Sequence, residues 1–208
     1  MRSRPPGTDP EARAAPHLGV RSDRMSATYH FVSTFRVVGD PERVWNVLSD
    51  VAGWARWWPE LERVEVVAGP AGAAQVGSVQ VGAVHRHTIR TPLGYRLAYD
   101  IEITALDRMR SVDAAVRGDL AGRGRAAVGA ASDDEATIWF AWLVETTKPW
   151  MRVMSPVARP VFTWAHHRLM ADFGAGFAAA AGARLLSVEH LEIRPGEPGF
   201  LVMPEVLA

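Results

Sequence analysis

From Thr28 onward, Tyr29, Phe31, Ser33 and Phe35 alternate with His30, Val32, Thr34 and Arg36, a period of two that predicts a first β-strand. Asp40-Pro41-Glu42 then opens a helix, with Asp40 suited to the cap and Pro41 to the first helical position. Val44, Trp45, Val47 and Leu48 recur at helical spacing within it. Gly53 and Pro59 bracket a second short helical piece that carries Trp54, Trp57 and Trp58. Strand patterns follow over residues 61–68, 78–89, 95–106, 111–117, 123–128 and 137–147, separated by Gly and Asp clusters as in an antiparallel meander.

A mostly apolar stretch at 148–178 closes the pattern. Pro156 and Pro160 do not suit a helix interior. The expectation is therefore a broken first turn around 150–155 and a main helix from 160 to about 183. At about 100° per residue, Phe162, His166, Leu169, Phe173 and Phe177 share one narrow arc, whereas His167 points elsewhere.

Residues 1–24 are rich in Arg and Pro without a sustained period, which predicts a disordered tail. Either Met1 or Met25 suits a start. Residues 25–184 form the predicted domain, and 185–208, ending in a Pro/Gly-rich run, read as a loosely ordered second tail. One strand, two helices, a run of antiparallel strands and a long last helix make an α+β arrangement. If the sheet curves, the last helix closes its concave side and an apolar cavity can lie between them. A filled core is the competing arrangement.

Composition narrows the function classes. A chain of 208 residues that is 48% hydrophobic suits one domain with a sizeable core. Lys+Arg and Asp+Glu both number 23, so no net charge draws it to nucleic acid. Without cysteine there is no disulfide, thiolate nucleophile or Cys-ligated metal, which fits a cytoplasmic setting. No apolar run reaches the roughly 18 residues of a spanning helix, so a soluble protein is expected. The 118–124 segment lacks the phosphate-binding loop pattern, and no GxSxG is present.

Several residues carry candidate chemistry. His85 and His87 sit two apart on one strand face, but no third ligand stands nearby, so solvated or edge histidines are expected and no metal. His166 lies on the apolar stripe as either a ligand-facing imidazole or a core histidine bonded to a backbone group or tyrosine. Tyr95, Leu97, Tyr99, Ile101 and Ile103 share a strand face that can turn two phenols toward a cavity or simply pack. Residues 137–144 are apolar on both faces, Phe140 and Trp142 on one and Trp139 and Leu143 on the other.

The segments GWARWWPEL (53–61), PLGYRLAYDIEI (92–103), GDLAGRG (118–124), TTKPW (146–150) and SPVARPVFTWAHHRLM (155–170) resemble the SRPBCC or START-like superfamily, in its bacterial polyketide cyclase/dehydrase-like branch. The likeness spans residues 28–183. It implies a helix-grip fold: a curved antiparallel sheet around a long C-terminal helix, with two short helices after the first strand. It further implies a hydrophobic small-molecule ligand such as a lipid, polyketide or aromatic metabolite, or alternatively cofactor-independent aldol cyclisation and dehydration with His166 moving protons. Phe140 and Trp142 would then face the cavity, Trp57 or a neighbouring tryptophan would border its mouth, and Trp139 and Leu143 would lie under a tail or in a homodimer contact. A fully buried central strand competes with this, and a protein–protein interaction module using Trp139 and Leu143 is a third functional reading. The helix motif of the resembling proteins reads close to W-N-H-D. Trp164 and His166 match it, whereas Ala165 and His167 replace the other two.

Overall fold

The computed structural model describes residues 27–70, 79–130 and 134–200. Strand β1 (Thr28–Val38) leads into helix α1 (Pro41–Ser49) and a 3-10 turn (Val51–Arg56). Strands β2 (Leu61–Ala68), β3 (Val84–Arg90), β4 (Arg96–Asp107), β5 (Ser111–Gly118), β6 (Leu120–Ala130) and β7 (Glu135–Thr146) follow, then helix α2 (Pro149–Ala181) and strand β8 (Arg184–Ile193). The eight strands form one antiparallel sheet in the order β2-β3-β4-β5-β6-β7-β1-β8, gripping α2 as expected of a helix-grip fold. The predicted 1–24 tail, the first residue of the expected 78–89 strand and the last eight residues lie outside the described residues.

Local chemistry sets the boundaries. Asp40 caps α1 as expected, its carboxylate accepting from the N–H groups of Glu42 at 2.8 Å and Arg43 at 3.3 Å. At the far end of α2, Gly182 takes the left-handed conformation and the Ala183 N–H bonds the Ala178 carbonyl at 2.8 Å, closing the helix. Among the described residues no helix is long and apolar enough to cross a membrane.

Two expectations are corrected. Helix α2 runs unbroken through Pro156 and Pro160, because both prolines lie on its exposed side, where water can hydrate the carbonyls they leave unpaired. The segment expected to be a loose tail instead forms β8, which pairs with β1. A register shift opposite Arg36 and Val37 interrupts the pairing, so Leu185, Leu186, Val188 and Leu191 do not alternate in the sequence.

The sheet's two faces differ in chemistry. Cross-strand ion pairs such as Arg86–Asp100, Arg117–Glu102 and Arg125–Asp113 line much of the outer face. On that same face His30 and Leu143 oppose each other, and His30 Nδ1 meets the Phe200 carbonyl at 3.0 Å. The chain after β8 therefore comes back against the outer face of β1. Leu143 is 7% exposed and covered within its own chain, and Trp139 is half-buried, so these two do not make an exposed apolar patch.

Close backbone approaches depend on glycine. Gly122 in β6 has φ +153°, and a Cβ there would sit 2.2 Å from the Leu143 carbonyl oxygen. Gly122→Ala should lower the unfolding free energy by about 1–3 kcal/mol, read as a shifted urea midpoint. An unchanged midpoint would mean that β6 can slide away from β7 without loss.

Candidate functional site

The inner face of the sheet and α2 meet in two zones. In the first, Phe173 fills the space between them. Its ring lies 4.9 Å from that of Phe140, 5.1 Å from those of Trp57 and Trp58, 5.6 Å from Trp54, 5.7 Å from Phe35 and 5.9 Å from Phe177. In the second zone the packing opens into a cavity of about 190 Å³. At about 10–15 Å³ for one water-sized sphere, that is room for an organic molecule of on the order of a dozen non-hydrogen atoms or somewhat more.

Each element contributes through its inward alternation. Strand β1 supplies Phe31 and Ser33, β4 supplies Tyr99 and Ile101, β7 supplies Phe140 and Trp142, and α2 supplies Phe162, His166, Leu169 and Phe173. Tyr95 joins them from the turn before β4. The expected strand faces and helix stripe thus converge on one space.

Trp57 does not. The Trp57 and Trp58 N–H groups both bond the Trp54 carbonyl, at 3.2 and 2.9 Å, and Trp54 and Trp58 line the cavity. Trp57 instead packs behind Phe173 and Phe177, where its carbonyl passes so close to Gly176 that a Cβ there would lie 2.3 Å away.

His85 and His87 also depart from expectation. They are 2% and 1% exposed, because β2 and β4 pair along both edges of β3, making it an interior strand, and the alternation turns both rings inward. His87 lines the cavity, with its ring 5.7 Å from Tyr99 and 6.0 Å from Trp54. Neither histidine has a hydrogen-bond partner among the described residues at either ring nitrogen. Among the described residues no group of three side chains could hold a metal ion.

His166 lies flat on Phe31, ring centroids 4.0 Å apart and 13° from parallel. It lines the cavity. Burial pushes its imidazole down to about 3, with His167 and His190 adding like-charge repulsion. His87 is likewise pushed down to about 3, by burial first and by His85 second. Both rings are neutral near pH 7. Burial alone raises the Tyr99 phenol well above its ordinary range, so it stays protonated. Behind the wall, His167 and His190 stack at 4.8 Å and His190 Nδ1 meets Ser33 Oγ at 3.0 Å.

The arrangement can enclose an apolar molecule and offer it a few neutral polar groups. It is poorly equipped as a base, since a proton acceptor works best with a pKa near the working pH.

A family described as polyketide cyclase/dehydrase and lipid transport matches residues 28–178. No curated protein sequence matches the chain. Among solved structures, the Zhui aromatase/cyclase from Streptomyces sp. R1128 aligns with TM-score 0.61 at 17% identity, covering 74% of this chain and 94% of that one. A conserved protein from Geobacillus kaustophilus aligns with TM-score 0.60 at 12% identity, covering 77% and 98%. A START superfamily protein from Mycobacterium smegmatis aligns with TM-score 0.57 at 15% identity, covering 74% and 97%. At these identities the structural likeness establishes the fold and nothing finer.

Proposed function

The chain belongs to the polyketide cyclase/dehydrase and lipid transport family, and from that premise we propose that it binds an apolar small molecule in the cavity between sheet and α2. The observation that carries this reading is the cavity's wall, built almost entirely of aromatic and aliphatic side chains around an unfilled space. Burying a ligand's apolar surface there is worth roughly 25 cal/mol per Å². A lipid fragment, a polyketide or an aromatic metabolite meets that requirement. Binding is favoured over cyclisation because the cavity's two imidazoles, His87 and His166, are pushed down to about 3 and hold protons poorly at neutral pH.

Ala126 offers the test. It lies on β6 opposite Val112 and Phe140, lines the cavity, and keeps part of its surface open to it. Ala126→Phe places a ring in the void. Titration of the full chain with the neutral fluorophore N-phenyl-1-naphthylamine should saturate at one site. Affinity should fall by about 10²-fold in the variant, roughly 2.7 kcal/mol. Equal binding by both proteins would place the probe elsewhere and refute the assignment.

A further inference from the structure

The cavity's polar groups select among apolar ligands, and here the inference rests on the binding reading above. His87 on β3 and Tyr99 on β4 are direct partners in the sheet register and both turn into the cavity. Both His87 ring nitrogens are buried without a hydrogen-bond partner among the described residues. No side chain among the described residues bonds the Tyr99 hydroxyl either. Buried polar groups ordinarily have partners, and an unpaired one is unfavourable until something supplies the bond. Two such groups side by side in the wall of an otherwise apolar cavity make a place for a polar atom that the protein itself lacks.

The charge of that atom is limited by the rest of the wall. Among the described residues that line the cavity, Arg125 alone is charged, and its side chain lies on the outer face of the sheet, where Asp113 holds its guanidinium by two bonds of 2.6 and 3.0 Å. A carboxylate brought to His87 and Tyr99 would be stripped of water against neutral groups, which is strongly unfavourable. A hydroxyl or ketone oxygen would not. A neutral imidazole offers one N–H and one lone pair, and a phenol can donate or accept, so together they match an oxygen that accepts, donates or does both.

We infer that His87 and Tyr99 form a polar anchor that selects uncharged, oxygen-bearing apolar ligands, phenols, alcohols or ketones, over both plain hydrocarbons and carboxylates.

Three probes that share one ring system test this: naphthalene, 2-naphthol and 2-naphthoate, titrated calorimetrically into the full chain at pH 7. There the phenol is neutral and the carboxylate ionised. The expected order is 2-naphthol about tenfold tighter than naphthalene, with 2-naphthoate weakest, on the order of 10²-fold below the naphthol. In Tyr99→Phe, which removes one oxygen and keeps the ring, and in His87→Phe, the naphthol-to-naphthalene affinity ratio should drop from about ten toward one. A ratio that survives both substitutions, or 2-naphthoate binding as tightly as 2-naphthol, would overturn the anchor while leaving the cavity. Failure of all three probes, and of N-phenyl-1-naphthylamine, to bind the parent protein would overturn the binding reading and the anchor with it.

Discussion

Phe173→Ala should lower the free energy of unfolding by about 3–5 kcal/mol, the largest expected effect of any single substitution here. Phe173 is 1% exposed, and six aromatic rings from β1, the 3-10 turn and the residues just after it, β7 and α2 itself converge on it. It is the side chain through which the helix grips the sheet. Removing it leaves a void continuous with the existing cavity, and six surrounding rings cannot all collapse onto one methyl. The high end of the range follows from that poor relaxation. Chemical denaturation monitored by tryptophan fluorescence reads the change directly. A loss below about 1 kcal/mol would mean that the ring cluster repacks, and that the boundary between filled core and cavity is soft.

Acid should be the second large effect. His87 and His166 are held near 3 in the folded protein against about 6.5 in an unfolded chain. Between those values the unfolded chain binds protons that the folded chain excludes. Stability is thus full above pH 6.5 and falls as pH drops toward 3. Each imidazole contributes about 1.4 kcal/mol per pH unit across that window. The two together should remove roughly 3 kcal/mol between pH 6.5 and 5. Carboxylates act lower: Glu62, held down to about 2 by Arg96 and Arg90, contributes only below its ordinary value near 4.5. Burial also lowers His30, His85, His167 and His190, so His166→Phe should reduce the slope above pH 5 without abolishing it. A stability curve flat from pH 7 to 5 in the parent would show that both rings take up protons in the folded state.

Much of this architecture is legible in the chain because its inward positions obey a strict period. The alternation of Tyr29, Phe31, Ser33 and Phe35, the face of Leu97, Tyr99, Ile101 and Ile103, and the helical arc from Phe162 to Phe177 all point where the structure puts them. Where a second layer intervenes, the pattern is mute. Strand β7 is apolar on both faces, and no local period records that its outward Leu143 is buried beside His30 of β1, where the chain returns at Phe200. His85 and His87 alternate with Arg86 and Thr88 like an exposed edge strand, and only the pairing of β3 between β2 and β4 shows them to be interior. Pro156 and Pro160 mark a break when read locally, yet both fall on the solvent side of α2, where a lost hydrogen bond is made good by water. Trp54, Trp57 and Trp58 are equal as residues, and only the packed structure shows that Trp54 and Trp58 meet the cavity while Trp57 packs against Phe173 and Phe177.

Methyl NMR during a titration with 2-naphthol tests the central claim most directly, because it reports both whether a ligand binds and where. Saturable shifts confined to methyls in the cavity wall, Ile101, Leu169 and Met170 among them, are the predicted result. Exposed Val153 and Val157 on the outer side of α2 should stay unmoved. No saturable shift, or shifts centred on Val153 and Val157, would contradict an internal binding site.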